Sequence, residues 1–358
     1  MAAASVNYGI ADLRVSQDFF LCSTQDHGVR VYCARSAKCV STIPETVAGT
    51  VKMVDMVHPS GLLVIVGGGR TPLFESDGVI AFLKCADNTV AYKQELPGRI
   101  LNMKVQHECV VVMLRDRIYL FSVDCPVRQL CEIPTRDNPM SVCALEKDML
   151  ALPHRSEAPG CLQIVDISQR LQPAYSHGHR TAGSSSSSQP IRKLMVAKHE
   201  VAIAAFNSSA SMLATASTHG TLVRIFSVLS LDQVHEYRRG TEPATIFYLG
   251  FNPMSSLLVV ASDKGTFHVF DIAEQSNNQS GILAAAAGAL ARVPAALYSY
   301  KKFTMSEPGP FRCHFLDDDE LLLLSYSGTA YLSKLMNGQD CKPNVYFIFF
   351  NQYLNADL

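Results

Sequence analysis

The sequence predicts an all-β protein, a seven-bladed β-propeller with degenerate Trp-Asp repeats. Short strands rich in Val, Ile, Leu, Phe and Tyr recur along the chain, and helical periodicity is nearly absent. The two best copies carry turn glycines, Gly220 and Gly265, that lie 45 residues apart. This spacing matches the blade period of roughly 40–45 residues. The chain has 358 residues and no tryptophan, so any Trp-Asp signature must be degenerate.

Each copy of the repeat runs from a short apolar strand through a small or polar turn into a second strand. We interpret each copy as the second and third strands of one blade. The seven copies span residues 19–34, 62–85, 109–123, 149–167, 212–228, 257–272 and 321–335. A two-sheet sandwich is the alternative, which explains the strands but not the period. Either VNYGI (6–10) or VYFIFF (345–350) can complete the last blade, and the pattern does not choose between them.

Two segments interrupt the single propeller expected over residues 1–358. The serine-rich stretch 176–190 is typical of a flexible surface loop. The second interruption, 273–300, follows the strand TFHVF of blade six, where a blade normally turns back within a few residues.

The apolar part of this second segment, GILAAAAGALA (281–291), is helix-prone. Leu283 and Leu290 are seven residues apart and share one helical face, and Ile282 adds apolar area beside them. An apolar segment followed by Lys301 and Lys302 can bury itself at a lipid interface. The alternatives are an alanine-rich loop without regular structure and a helix packed on the side of the propeller.

Composition excludes several classes of function. With 31 basic and 32 acidic residues, the formal net charge of −1 gives no general attraction to nucleic acid. The eleven scattered cysteines contain no Cys-x-x-Cys pair, which indicates free thiols of a cytosolic protein rather than disulfides or a zinc site. We find no secretory signal, membrane-spanning run, nucleophile elbow, His-Glu-x-x-His or phosphate loop. We therefore expect neither an enzyme nor a cofactor or metal.

The adjacent arginines Arg238 and Arg239 are the most informative residues. Neighbouring side chains of a strand point to opposite faces, so this pair is suited to two separate anion pockets. The planar guanidinium suits phosphate, and Gly240 behind it lets the backbone approach closely or turn sharply.

Polar residues that can hydrogen-bond a phosphorylated sugar ring precede and follow the pair. Alternation along a strand lets Thr215 and Ser217 share one face of blade five. It likewise lets Ser262, Lys264, Thr266 and His268 share one face of blade six. Blade five offers His199, Thr215, Ser217, Gly220, Thr221 and Arg224, and blade six offers Ser262, Lys264, Thr266 and His268. Each residue also has a structural interpretation. The hydroxyls can be turn formers, His268 can be a core histidine, and Arg224 can pair with a structural carboxylate.

The segment YRRGTEPATIFYLGF resembles the Phe/Leu-Arg-Arg-Gly motif of the PROPPINs, the WIPI-type phosphoinositide-binding propellers of autophagy. STHGTLVRIF and SDKGTFHVF on either side match the family pattern. LLVIVGGGRTP (62–72) and TRDNPMSVC (135–143) resemble one WIPI subgroup. The likeness covers nearly the whole chain. It departs from the family at Tyr237, where the family has Phe or Leu, and in a shortened spacing before blade five, which bears on His199.

The resemblance implies binding of phosphatidylinositol 3-phosphate (PI3P) and the 3,5-bisphosphate at two sites. Arg238 would join Ser217, Thr221 and Arg224, with His199 as a further addition, and Arg239 would join Ser262, Thr266 and His268. It further implies insertion of the 273–300 loop into membranes and recruitment of autophagy factors, including a lipid-transfer protein, to preautophagosomal and endosomal membranes. We expect a monomeric peripheral membrane protein. The competing hypothesis is a propeller scaffold that binds proteins and has no lipid role.

Overall fold

A computed structural model describes residues 9–16, 18–24, 28–58, 60–106, 109–123, 126–171, 192–272, 297–307, 309–335 and 342–349. Over these residues the strands form seven sheets in a ring, which confirms the predicted seven-bladed β-propeller. In each blade four strands pair antiparallel, and they follow one another in the chain except in blade six, where β24 (Leu297–Tyr298) intervenes.

The strands and the two short helices of the described residues have the following bounds. Blades one and two contain β1 (Ile10–Ser16), β2 (Phe19–Thr24), β3 (Val29–Cys33), β4 (Cys39–Ile43), helix α1 (Glu45–Ala48), β5 (Gly49–Val57), β6 (Leu62–Pro72), β7 (Val79–Lys84) and β8 (Val90–Glu95). Blades three and four contain β9 (Asn102–Val105), β10 (Cys109–Met113), β11 (Arg117–Ser122), β12 (Arg128–Pro134), β13 (Ala144–Glu146), β14 (Met149–Pro153), β15 (Cys161–Asp166), helix α2 (Ser168–Leu171) and β16 (Arg192–Met195).

Blade five contains β17 (Val201–Phe206), β18 (Met212–Ser217), β19 (Leu222–Ser227) and β20 (Gln233–Arg238). Blade six contains β21 (Ile246–Phe251), β22 (Leu257–Ser262), β23 (Thr266–Asp271) and β25 (Lys301–Thr304), and the two-residue β24 (Leu297–Tyr298) pairs with β20 instead. Blade seven contains β26 (Phe311–Phe315), β27 (Glu320–Ser325), β28 (Thr329–Lys334) and β29 (Asn344–Ile348).

The predicted repeats coincide with the second and third strands of the blades. The copy at 212–228 is β18 and β19, and the copy at 257–272 is β22 and β23. The question of the last blade is also answered: β29, from VYFIFF, pairs with β28, while β1 belongs to blade one. Among the described residues, no helix is long and apolar enough to cross a membrane.

The hydrophobic core is divided into seven clusters over the described residues, one between each pair of neighbouring blades. The alternation of side chains along each strand sends one set to the preceding blade and the other to the following blade. In blade five, Leu213 and Phe226 face blade four, whereas Ala214 and Val223 face blade six. The two faces of a blade are therefore distinct surfaces, each part of a different interface.

Within the described residues blades seven and one share no strand, and side-chain contacts join them. The Tyr32 hydroxyl donates to the Phe349 carbonyl oxygen at 2.7 Å, and Arg312 Nε donates to the Leu13 carbonyl at 3.0 Å. Phe20 and Leu322 are fully buried in the cluster at this seam. Hydrophobic packing and hydrogen bonds thus close the ring.

A cavity of about 740 Å³ lies on the axis and is lined by the first strands of all seven blades. Charged side chains meet on one wall, where Arg14 of β1 and Lys104 of β9 approach Asp55 of β5. Burial raises the pKa of Asp55 to about 7, and both cations oppose this shift. Ionisation of Asp55 therefore occurs at neutral pH within the folded protein.

The Asp55 shift predicts a pH dependence of stability. An unfolded aspartate ionises near its ordinary pKa of 3.8, so the folded state binds more protons between that pH and about 7. The free energy of unfolding should fall as pH rises through this window, by up to roughly 4 kcal/mol at about 1.4 kcal/mol per pKa unit. Urea unfolding at pH 5, 6, 7 and 8 should show this slope in the wild type and a flatter one in Asp55→Asn. Parallel curves for the two proteins would contradict the assignment.

Candidate functional site

Tyr237 anchors the end of β20 between blades five and six. Its side chain is fully buried, and its ring lies 4.6 Å from that of Phe270, centroid to centroid. Its hydroxyl has no hydrogen-bond partner among the described residues. The position therefore acts as an apolar anchor, which is consistent with the Phe or Leu of the family motif.

Arg239 follows β20 and lies on the face of Tyr237, toward blade six. Its guanidinium donates from Nε to the Gly220 carbonyl and from Nη2 to the Glu242 carbonyl, both at 2.5 Å. The residue is 7% exposed, and no carboxylate among the described residues forms an ion pair with it. Burial lowers the pKa of Arg239, and the negative charges of Asp263 and Glu242 oppose this shift from a distance. The result is a buried cation held by carbonyls.

Gly220 is required by the turn that holds Arg239. Its φ is +67°, and a Cβ there would lie 1.9 Å from the Ala244 carbonyl oxygen. The sequence predicts a sharp turn or a close backbone approach at Gly240, and the structure shows neither. Gly240 does not have a positive φ, and a Cβ there would meet no described atom within 4 Å. The space beside Gly240 is open.

The blade-six residues reach the same interface from the opposite side. Ser262 of β22 and His268 of β23 are on the strand faces that contribute Val260 and Phe270 to the cluster between blades five and six. The Ser262 hydroxyl is buried and has no hydrogen-bond partner among the described residues. Thr266, half-buried, begins β23.

The expectation that alternation along one strand aligns the blade-six residues is wrong for Lys264. This residue lies exposed in the turn between β22 and β23, because the chain reverses at Gly265, where φ is +70°. Ser262 and Thr266 therefore belong to neighbouring strands. The turn places the Lys264 side chain outside the alternating pattern.

His268 is 8% exposed and neutral at physiological pH. Burial lowers its pKa to about 4, and the positive charges of Arg239 and Lys302 add to the shift. The ring lies stacked 6.3 Å from that of Phe270, and Nδ1 lies 3.3 Å from the Ser299 hydroxyl oxygen. A neutral imidazole donates from one nitrogen and accepts at the other.

The other face of blade five carries Arg238 and Arg224. Arg224 Nε forms an ion pair with Glu236 Oε2 at 2.8 Å, and Nη1 donates to the Val196 carbonyl of blade four at 3.4 Å. The structural alternative considered for Arg224 therefore holds, since it has a carboxylate partner. Arg238 is half-buried and has no side-chain hydrogen bond or ion pair within the described part of the chain.

Thr215 and Ser217 of β18 alternate on this same face, as expected, and Thr215 is buried. Thr221 lies half-buried in the following turn, where its carbonyl accepts from the Arg239 backbone N–H at 2.9 Å. His199 is exposed, and its ring lies 6.1 Å from that of His219. His219 did not emerge from the sequence, because a single histidine in a turn carries no pattern of its own.

The structure also brings Ser299 and Lys302 to His268, and the sequence missed both as site residues. Ser299 lies inside the long segment predicted to be a loop, where no periodic signal marks it. Lys302 pairs with His268 across β25 and β23.

The serine-rich stretch 176–190 and the helix-prone segment 281–291, with Ile282, Leu283 and Leu290, lie outside the described residues.

A family model described as PROPPIN matches residues 27–307. A protein named SVP1-like protein 2 from Emericella nidulans is 32% identical over 225 residues, which cover 62% of this chain and 63% of the relative. Autophagy-related protein 18 of Yarrowia lipolytica is 30% identical over 257 residues, covering 68% of this chain and 62% of that protein. The matched region thus spans less than two thirds of the length of these curated relatives.

Solved structures share the fold. Hsv2 of Kluyveromyces lactis superposes with a TM-score of 0.72 at 18% identity, covering 94% of this chain and 97% of that one. A complex of KlAtg21 with the coiled coil of AgAtg16 gives a TM-score of 0.70 at 16% identity, covering 94% of this chain and 98% of the other. Fold and site together define a seven-bladed propeller with an arginine pair divided between two blade faces. The chain belongs to the PROPPIN family, which confirms the resemblance found in its motifs.

The two glycines near Arg239 provide a matched pair of substitutions. Gly220→Ala should destabilise the fold by roughly 1–3 kcal/mol, because the new Cβ meets the Ala244 carbonyl and φ is positive. Gly240→Ala should change stability by less than about 1 kcal/mol, since the space is open. Thermal unfolding of both variants measures this difference, and equal melting temperatures would contradict it.

Proposed function

We propose that this protein is a non-enzymatic phosphoinositide effector that binds PI3P and phosphatidylinositol 3,5-bisphosphate on membranes. The observation that carries the proposal is the buried Arg239 guanidinium, which has no ion-pair partner among the described residues. Buried charges are normally paired, so such a group favours an anion from outside the chain. A phosphate fits the planar fork of arginine.

The second pocket would consist of Arg239, Ser262, Thr266 and His268, with Lys264 and Lys302 at its rim. Ser262 and neutral His268 offer hydrogen-bonding atoms, and the open space beside Gly240 leaves room for an inositol ring. The first pocket would use Arg238 with Ser217, Thr221 and the exposed pair His199 and His219. Arg224 and Thr215 would support it from within, Arg224 through its ion pair with Glu236.

Two pockets on one rigid body convert the second lipid contact into an intramolecular event. Such linkage raises avidity by roughly 10²–10⁴ when both pockets can reach one bilayer. The protein would thus attach to PI3P-containing preautophagosomal and endosomal membranes and recruit autophagy factors there. A lipid-transfer protein is the partner that the family resemblance favours. The KlAtg21 complex adds a coiled-coil protein as a second class of partner.

The double variant Arg238→Thr/Arg239→Thr tests the lipid role. We expect it to lose binding to PI3P vesicles, because each pocket loses its guanidinium, while each single variant loses the avidity gain of roughly 10²–10⁴. Flotation with phosphatidylcholine vesicles that contain PI3P measures this, with pure phosphatidylcholine vesicles as the blank. A control, Arg99→Thr/Arg115→Thr, removes two exposed arginines of blades two and three.

Matched thermal melts must show that the double variant is folded. Equal flotation of wild type and double variant would contradict the proposal. That result, together with retained protein partners, would favour the alternative of a propeller scaffold without a lipid role.

Membrane insertion of the segment 281–291 is a separate part of the proposal. Replacing Leu283 and Leu290 with aspartate should reduce vesicle binding, because their apolar area contributes roughly 25 cal/mol per Å² buried. Binding of soluble inositol 1,3-bisphosphate should not change, because the pockets are intact. Calorimetry with this head group and flotation separate the two effects. Unchanged vesicle binding would rule out insertion through these leucines.

A further inference from the structure

The end of the long blade-six segment, 273–300, returns to the propeller by an unexpected path. Its first described residues form β24, which pairs parallel with β20 of blade five, Leu297 with Tyr237 and Tyr298 with Arg238. Only then does the chain enter blade six as β25, where Lys302 pairs with His268. Residues 297–302 thus connect the strand of the arginine pair to the strand of His268.

Ser299 lies at the crossing between these two strands. Its hydroxyl oxygen is 3.3 Å from Nδ1 of His268. His268 is 8% exposed, and burial together with the charges of Arg239 and Lys302 lowers its pKa to about 4, so the ring carries one proton at neutral pH. A serine hydroxyl that donates to Nδ1 leaves that proton on Nε2. Without this donor, the proton can occupy either nitrogen.

We propose that Ser299, which directly follows β24, is a positioning residue that fixes the tautomer of His268. The proton then stays on Nε2, and Nε2–H can donate to the anion in the second pocket. The inference rests on the proposed function, since it assigns His268 the role of a neutral hydrogen-bond donor. The second pocket is then complete only when β24, at the end of the long segment, is docked on β20. Docking of this segment and filling of the pocket favour each other by linkage.

The direct test uses Ser299→Ala in an Arg238→Thr background, where only the second pocket retains its arginine. Calorimetry with inositol 1,3-bisphosphate should show affinity about five-fold weaker, as expected for one lost hydrogen bond. Ser299→Thr, which keeps the hydroxyl, should restore affinity. Ser60→Ala removes a hydroxyl that donates to the Val57 carbonyl at 3.0 Å in blade two, and it should have no effect.

Nitrogen NMR of the His268 ring gives a readout that does not depend on ligand binding. The wild type should show mainly the Nε2–H tautomer, and Ser299→Ala should show a mixture. If the wild type binds no inositol 1,3-bisphosphate but the tautomer shifts as expected, the lipid function fails while the positioning contact stands. An unchanged tautomer, or a changed tautomer with unchanged affinity, overturns the inference.

The role of β24 is tested by Leu297→Pro/Tyr298→Pro, which removes both backbone N–H donors of this strand. It should produce the same tautomer mixture and the same loss of affinity as Ser299→Ala. Adding Ser299→Ala to it should cause no further loss, because the hydroxyl is already displaced. An additive effect would show that Ser299 acts without β24 and would overturn that part of the inference.

Discussion

The guanidinium of Arg239 is the charge around which the rest of the site is arranged. Removing a cation from water costs several kcal/mol unless other groups compensate it. Here the compensation comes from the Gly220 and Glu242 carbonyls. The tight turn at Gly220 is needed to present its carbonyl, and Tyr237 fixes the strand from which Arg239 leaves. The same positive charge contributes to keeping His268 neutral.

The inter-blade packing makes this arrangement possible. Each blade contributes one face to the preceding cluster and one to the following cluster, so adjacent residues of β20 belong to different interfaces. The distance between two pockets built on these faces is then fixed by one blade of packed side chains. Side-chain contacts close the ring between blades seven and one, including the hydrogen bond from Tyr32 to Phe349, and maintain this geometry. A fixed spacing is what two linked lipid contacts require.

The sequence predicted the propeller because its repeat marks the second and third strands, the most apolar part of each blade. The sequence also marks the turns at Gly220 and Gly265, because a turn with positive φ needs glycine. The opposite orientation of Arg238 and Arg239 follows from strand alternation alone. These features are local, so a single sequence contains them.

Other features depend on contacts between distant residues. The two-residue strand β24 has no periodicity, and its pairing with β20 joins residues about sixty positions apart. The ion pair of Arg224 with Glu236 joins the neighbouring strands β19 and β20. From the sequence alone, a structural ion pair is only one of the possible roles of Arg224. Lys264 was misplaced because alternation was extended through a turn. The open space beside Gly240 is a property of surrounding chains, which no local pattern records.

The two faces of blade five differ in the burial and pairing of their charges. This difference affects how strongly the affinity of each proposed pocket would depend on salt. On the blade-four side, Arg224 is neutralised by Glu236, and the remaining cation, Arg238, is only half-buried. On the blade-six side, Arg239 and His268 are buried. Salt screens exposed charges over a distance of about 8–10 Å, and buried charges much less. For the proposed pair of pockets, the second would therefore lose less affinity than the first as salt rises. The avidity of the pair, rather than the contact of the second pocket, would carry the salt dependence.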